Sequence, residues 1–482
     1  MKRRNALQSF GLLAVPGLLA ACGPGDNLTP TPPPPAPSPA DSWAPGVLKN
    51  ASTFGSGTPA LALQANGAGK MLLAVGPTSE SLVFSVSTLD GSSVTMQRPG
   101  GTTTTVATLA PVADMRGNTL WLWQDAGSSA AQQLFYAVSS GVNGQISAAR
   151  ALPLSPAPSL QASVMAQDAD GNALVRWSSG PLDGAGLPTL GGLLRFTAAT
   201  QLWSVVPLPE PTANPALLLS ANAVFDSNGR AWLIQPTPGT VSGEWTLPLY
   251  SLLPNAANWL TAPVVPATLP RSSIFQLSID SRNRLVAAHC VAHDPKVITP
   301  PLSISRYDQA GAGWTTLPVP TLPSNGYRVS VDAVGNIWAV GASTIARYDN
   351  AAANWTGPQN IDFAPADGLQ SDGSWPFALA TNSQGNTWAV GVRRKTAGQD
   401  LPVLWINFFD ATTRLWSQAG TLAVQGGENS SFVQPAQGQG TSFLVALALD
   451  SQSRPMATLT EILRTTLLNY QGRTWIARGR TA

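Results

Sequence analysis

The chain is poor in reactive and charged side chains. Its 482 residues include two histidines, two cysteines and only 11% charged residues, with a formal net charge of +2. Two cysteines exclude a disulfide-stapled scaffold. A near-neutral balance with no strong basic patch argues against nucleic-acid binding, which rests on lysine and arginine meeting phosphates. Long apolar runs are lacking too. The N-terminal stretch over residues 10–21 is too short to span a bilayer comfortably, which takes about 20 residues. What is plentiful is 44 glycines, 42 prolines and 16 tryptophans. Glycine and proline at that level, with many strand formers, suit an all-β protein with frequent turns.

The N-terminus reads as an export signal rather than structure. Lys2, Arg3 and Arg4 precede the apolar stretch, which ends in Leu19-Ala20-Ala21-Cys22. That tetrapeptide resembles the bacterial lipobox, and the resemblance implies that Cys22 is acylated and becomes the mature N-terminus. An ordinary signal peptide with a chance cysteine is the alternative. Gly23, with no aspartate retention signal, implies a lipid-anchored envelope protein sorted to the outer membrane, its facing side open. Arg3-Arg4 with Leu7 faintly resembles a twin-arginine signal, but Ala6 stands where phenylalanine is usual, so the export route stays open. With Cys22 lipidated, Cys290 has no intrachain partner. The expected organisation is a signal peptide over residues 1–22, a proline-rich tether over 23–42 and one domain over 43–482. The tether favours extended polyproline II at roughly 3 Å per residue. It reads as a spacer first, and as a ligand for aromatic-lined grooves second.

A phrase recurs through that domain. Its clearest copies are Asp332-Ala-Val-Gly-Asn-Ile-Trp338 and Asn382-Ser-Gln-Gly-Asn-Thr-Trp388, and weaker ones start at Asn66, Asp114, Asp168, Asp226, Asp280 and Asp450. The starts lie 48 to 68 residues apart. A period near 50 residues with short apolar runs predicts a β-propeller, with eight blades of four antiparallel strands or, with one weak copy as an insertion, seven. Within one repeat, residues 327–332, 337–341 and 344–349 read as three strands, and a fourth starts near 354. The phrase itself reads as a turn: an aspartate that bonds nearby amides, then a glycine that tolerates positive φ. The first repeat, near residues 59–97, and the last, 443–477, each look complete. Closure is by packing of first and last blades, or by residues 43–49 adding a strand to the last blade.

A second recurrence runs in phase. An aromatic precedes a tryptophan by seven residues in Phe196/Trp203, Tyr307/Trp314, Tyr348/Trp355 and Phe409/Trp416, with Tyr250/Trp259 and Tyr470/Trp475 as looser versions. Trp232, Trp338 and Trp388 fall on second strands and are expected between blades. Trp245, Trp375 and Trp405 fall out of phase, which makes them candidates for a ligand surface.

The stretch from Ser330 to Asp349, Ser-Val-Asp-Ala-Val-Gly-Asn-Ile-Trp-Ala-Val-Gly-Ala-Ser-Thr-Ile-Ala-Arg-Tyr-Asp, resembles the two-component-regulator propeller repeat. It is similar also to repeats of the streptogramin-lyase-like propellers. The resemblance covers the chain from about residue 55, most strongly in the sixth and seventh repeats. It implies the architecture and no activity, because these aspartates and glycines make turns. The Thr-Gly step of pyrroloquinoline-quinone propellers is absent, and no cofactor is inferred. Lipid anchor and blade count together resemble, in general terms, an eight-bladed lipoprotein that assists assembly of outer-membrane barrels.

Candidate chemistry is sparse. His289, His293 and Asp294 sit close together with Cys290, but a close pair does not define a metal site, and none is assigned. The streptogramin-type general base and metal carboxylate have no match. Arg393-Arg394-Lys395 is the strongest cationic cluster outside the signal. Long connections at residues 178–191, 235–248, 289–302 and 391–401, and at 357–375 and 421–441, are expected on one face, the working one. Residues 426–440 read as an insertion. The leading function is a binding or scaffolding module for a peptide, glycan or envelope protein, anchored by lipid and expected to be monomeric. A lyase or hydrolase in the propeller channel and an accessory to outer-membrane assembly are the alternatives.

Overall fold

The repeated phrase builds a turn from its own side chains. Asp332 N donates to Asn336 O and Gly335 N to Asp332 O, both at 2.9 Å. Oδ1 of the Asp332 carboxylate accepts from Val334 N and Asn336 N at 3.1 and 2.8 Å. Its Oδ2 accepts from Asn336 Nδ2 and Trp338 Nε1 at 3.0 and 2.9 Å. The same pair of amide bonds recurs at Asp168, Asp226, Asp280 and Asn382. Gly335 has φ +88°, and a Cβ there would lie 2.8 Å from Ser281 Oγ in the preceding turn, so both backbone and neighbour favour glycine. Asn283, at φ 59°, takes the equivalent place after Asp280. Asn336 Oδ1 then accepts from Asn350 N, as Asn172 Oδ1 does from Ala198 N and Asn386 Oδ1 from Ala411 N. These three phrases thereby each tie two turns of one sheet together. Asn66, Asp114 and Asp450 lie outside the described residues.

The computed structural model describes residues 42–54, 61–65, 70–75, 84–88, 93–96, 106–113, 119–125, 132–139, 147–148, 150–158, 160–182, 188–209, 218, 221–241, 244–266, 268–270, 274–290, 302–311, 313–319, 328–332, 334–340, 344–360, 377–394, 401–417, 420–425, 441–449, 452–464 and 470–479, over 47–119 as backbone only. Among them there is no α-helix; the described chain is all-β. Six sheets of four antiparallel strands follow one another in sequence. The first holds Leu61–Ala65, Lys70–Val75, Phe84–Thr88 and Ser93–Met96, and the second Val106–Ala113, Thr119–Asp125, Leu134–Ser139 and Arg150–Ala151. The third holds Gln161–Gln167, Ala173–Leu182, Pro188–Thr197 and Leu202–Val206, and the fourth Asn222–Phe225, Ala231–Ile234, Leu249–Leu252 and Leu260–Ala262. The fifth holds Ile274–Ile279, Leu285–Cys290, Leu302–Asp308 and Gly313–Leu317, and the sixth Arg328–Val331, Ile337–Val340, Thr344–Asp349 and Asn354–Asn360.

Nine of the remaining strands form one sheet. Its path runs Phe377–Thr381, Thr387–Arg394, Pro402–Asp410, Gly420–Gln425, Trp43–Phe54, Tyr470–Gly479, Pro455–Arg464, Thr441–Leu449, and Leu415–Trp416 also pairs with Pro402–Asp410. Trp43–Phe54 is antiparallel to Tyr470–Gly479 but meets Gly420–Gln425 in parallel at only two positions, Gly46↔Val424 and Val47↔Gln425. The sheet therefore divides there into a seventh set of strands and an eighth. The last repeat supplies three strands of the eighth set and the N-terminal segment the fourth, so the expectation of a complete last repeat is corrected. Tyr470 and Trp475, expected across a hairpin, share one strand for the same reason. The first strands of consecutive sheets lie side by side from the first sheet to the sixth, from the seventh set to the eighth, and from the eighth back to the first.

The core lies between sheets, because second and third strands are apolar on both faces and must be covered twice. Leu120 and Tyr136 of the second sheet meet Val175 and Phe196 of the third. Leu174 and Leu193 then meet Leu233 and Leu252. Trp232 packs against Tyr307 of the fifth sheet with ring centroids 6.0 Å apart, Trp338 against Phe409 at 5.1 Å, and Trp388 against Trp43 at 5.7 Å. These second-strand tryptophans sit between neighbouring sheets.

The aromatic–tryptophan spacing of seven residues is a cross-strand register. Phe196↔Trp203, Tyr307↔Trp314, Tyr348↔Trp355 and Phe409↔Trp416 are directly opposed. The turns between them hold Gln201, Ala353 and Arg414 at φ 54°, 53° and 61°. Left-handed backbone costs an L-residue about 1–2 kcal/mol. Ala353→Gly should therefore raise unfolding free energy by about 0.5–1 kcal/mol, less the entropy glycine adds to the unfolded chain. Urea midpoints of the two proteins check this.

Candidate functional site

The eight first strands are the natural place for a catalytic cluster shared between sheets. Their residues are apolar, Ser, Thr, Asn or Gln, apart from one titratable side chain, Arg328. Arg176, on a second strand, reaches towards them: its Nε donates to Ser163 Oγ at 2.7 Å and its Nη1 to Leu218 O at 2.9 Å. Burial lowers its pKa from the ordinary value.

Charge on the turn side is engaged between neighbouring sheets. Arg284 bonds Asp280 at 2.7 Å and, with Arg306, donates to Asn350 Oδ1 in the next sheet. Asp349 lies 3.1 Å from Arg347 and 3.5 Å from Arg414. Burial alone would raise the Asp349 pKa, but amides of Ala352 and Ala351 and the Arg347 guanidinium hold it below the ordinary value.

The opposite ends of the strands carry the elaborated connections. In the third sheet, the second and third strands continue to Leu182 and from Pro188, so the expected loop over 178–191 shrinks to 183–187. In the fourth, residues 235–248 contain the strands Thr237–Pro238 and Glu244–Thr246. Thr268–Pro270, from the connection to the fifth sheet, pairs with the latter and completes a separate three-stranded sheet. Trp245 sits at its centre, opposite Pro238 on one side and Leu269 on the other, and is half-buried. Gly239 N donates to Glu244 O at 2.8 Å, and the Thr237 and Thr246 hydroxyls bond at 2.8 Å. Val241 stands exposed at the tip. The signal was in the sequence: Pro238-Gly239 and Ser242-Gly243 bracket β-branched residues, as hairpin turns do.

The other expected residues are dispersed. His289 is half-buried, its Nδ1 has no hydrogen-bond partner, and burial lowers its pKa, which keeps the ring neutral near pH 7. Cys290 ends the same strand, while His293 and Asp294 lie outside the described residues. Arg393 and Arg394 belong to the strand Thr387–Arg394, opposite Val403 and Pro402, rather than to a loop. Lys395, Trp375 and residues 426–440 lie outside the described residues. Trp405 is corrected: it is buried with Trp338 and Phe409 in the contact between the sixth sheet and the seventh set, offering no ligand surface. Among the described residues, no three His, Cys, Asp or Glu side chains are placed to hold a metal ion. No helix among them is long and apolar enough to cross a membrane.

No family model and no curated protein matches the chain. Solved structures resemble it in outline. A protein of unknown function from Dyadobacter fermentans is 13% identical, over 78% of this chain and 95% of that one, at a TM-score of 0.39. Prolyl oligopeptidase B from Galerina marginata is 10% identical over 88% of this chain and 55% of that one, at 0.48. An intramolecular trans-sialidase from Ruminococcus gnavus is 11% identical over 76% and 94%, at 0.34.

Proposed function

We propose that the chain is an eight-bladed β-propeller held by lipid on Cys22 at a bacterial envelope, where it acts as a binding module. Its ligand, a peptide, glycan or envelope protein, is taken on the side where the long connections lie. The observation that carries this reading is the accessory sheet over the fourth blade, a surface assembled from two separate connections around Trp245. Loops free of function are usually short, and here they are lengthened and hydrogen-bonded into a rigid feature. Catalysis needs acid–base groups converging from several blades, and the inner strands hold one titratable side chain. Binding needs only shape and a few anchors, of which tryptophan is a favoured type. Eight blades are supported by six four-stranded sheets, a nine-stranded sheet divisible into two sets, and first strands that adjoin from the first sheet to the sixth and from the seventh set through the eighth to the first. The repeat's resemblance to two-component-regulator propellers agrees with this.

Crosslinked envelopes should yield a partner on pull-down with the wild-type chain. Trp245→Ala should weaken capture at least tenfold, as hot-spot truncations do, while the melting temperature stays put. Equal capture by Trp245→Ala would remove the accessory sheet from the site. Cys22→Ala should move the protein from the membrane fraction to the soluble one, and retention in the membrane would remove the lipid anchor.

A further inference from the structure

Seven of the eight large hydrophobic side chains exposed among the described residues belong to the third and fourth sheets or to the connections of the fourth. Leu202 and Val205 lie on the outer strand Leu202–Val206, 64% and 69% exposed. Leu260 starts the outer strand of the fourth sheet and Val264 follows it. The two strands are fixed beside one another, since Trp259 Nε1 donates to Pro207 O at 2.8 Å. Single exposed leucines are ordinary, but a cluster on adjacent sheet edges marks an interaction surface.

Charge says which. Residues 196–209 and 249–265, the two outer hairpins, contain no Asp, Glu, Lys or Arg. The equivalent hairpins of the fifth, sixth and seventh sets carry Asp308, Asp349, and Asp410 with Arg414. Their edges are also blunted: Thr315 and Thr316 are the exposed residues of the fifth, and Gly357-Pro358 interrupts the sixth. Leu202–Val206 has neither device, and its outer edge has no strand partner among the described residues.

We propose that this edge pairs antiparallel with the same strand of a second copy of the chain. A twofold interface sets every charge near its own image, so a surface without charge suits it. Centred on Ser204, the pairing sets Leu202 opposite Val206 of the second copy and Val205 opposite Trp203 of the second copy. Each exposed apolar residue of the strand then meets an apolar one, the arrangement that stabilises antiparallel pairs, and Ser204 meets its own image. Leu202, Val205, Leu260 and Val264 are each at least half exposed, and such an apolar cluster can form the centre of the roughly 800 Å² that each partner of a stable dimer contributes. The proposal sets a dimer against the expected monomer.

Sedimentation of the purified full chain over about 1–100 µM, a range that reads micromolar dissociation constants, tests this. The wild type should dimerise, and Val205→Lys should weaken the dimer at least tenfold with an unchanged melting temperature. Leu415→Lys, on the seventh set, should leave it intact. Ser204→Cys should give a covalent dimer on mild oxidation, since opposed residues lie about 4.5–5.5 Å apart at Cα, within disulfide reach. Thr316→Cys should not. A wild type that stays monomeric, a Val205→Lys dimer as tight as wild type, or a dimer that Ser204→Cys leaves uncrosslinked overturns the proposal.

Discussion

Deleting residues 43–54 should abolish cooperative unfolding, the largest loss expected from any short deletion in the chain. The segment pairs with Tyr470–Gly479 from Trp43↔Gly479 to Phe54↔Tyr470. Without it that ten-residue strand becomes an open edge, which invites aggregation. Trp43 itself is 2% exposed and packs against Trp388, in the manner of the hairpin tryptophans elsewhere. Trp416 meets Trp338 of the preceding sheet at 5.7 Å, so Trp43 supplies to the eighth set what its own repeat lacks. A buried tryptophan removes about 150–250 Å² from water, or roughly 4–6 kcal/mol. Domains of this kind hold only about 5–15 kcal/mol in total. Trp43→Ala, which keeps the strand, should cost about 3–5 kcal/mol. Denaturant unfolding followed by fluorescence and by circular dichroism reads both variants. A deletion mutant that unfolds at the wild-type midpoint would show that the strand contributes nothing to closure.

Much of the fold was legible because its two signals are local. The phrase from Asp332 to Trp338 encodes its own turn, and the spacing from Tyr348 to Trp355 encodes a cross-strand pair. Residues within seven positions of one another carry both. The expected strands over residues 327–349 accordingly match those observed to within two residues. Closure was left between alternatives for the opposite reason. Trp43 and Trp475 sit in one sheet though more than 400 residues separate them, and no short-range pattern joins them. Trp405 was misplaced because its strand is covered on both faces, and period-two alternation cannot mark one side as outward there. The arginines at 393 and 394 read as loop because the strand Thr387–Arg394 outlasts the apolar run that announced it. The accessory sheet was missed at the level of pairing. Its hairpin is visible in residues 237–246, but its third strand comes from the next connection.

Asp332→Ala should cost about 3–5 kcal/mol, as much as a large core truncation, though it removes only a carboxylate. The side chain is buried and accepts four hydrogen bonds, from two backbone amides, the Asn336 amide and the Trp338 indole. Removing the acceptor leaves those donors buried, and an unpaired buried donor costs about 1–3 kcal/mol. Some are regained by water at the turn's surface, so the sum falls below four full penalties. The seventh set provides the internal comparison. There Asn382 stands in the aspartate's place, and its Oδ1 accepts from Gln384 N and Asn386 N. An amide thus suffices for the backbone half of the cradle, and Asp332→Asn should cost less, about 1–2 kcal/mol, by turning a donor towards the Trp338 indole. Trp338→Phe removes that indole N–H. In the double mutant the penalty of Asp332→Asn should shrink, because the asparagine no longer faces the indole donor. Full additivity of the two substitutions in urea unfolding would mean that the Asp332–Trp338 bond is energetically idle, and that the phrase is held by its backbone turn alone.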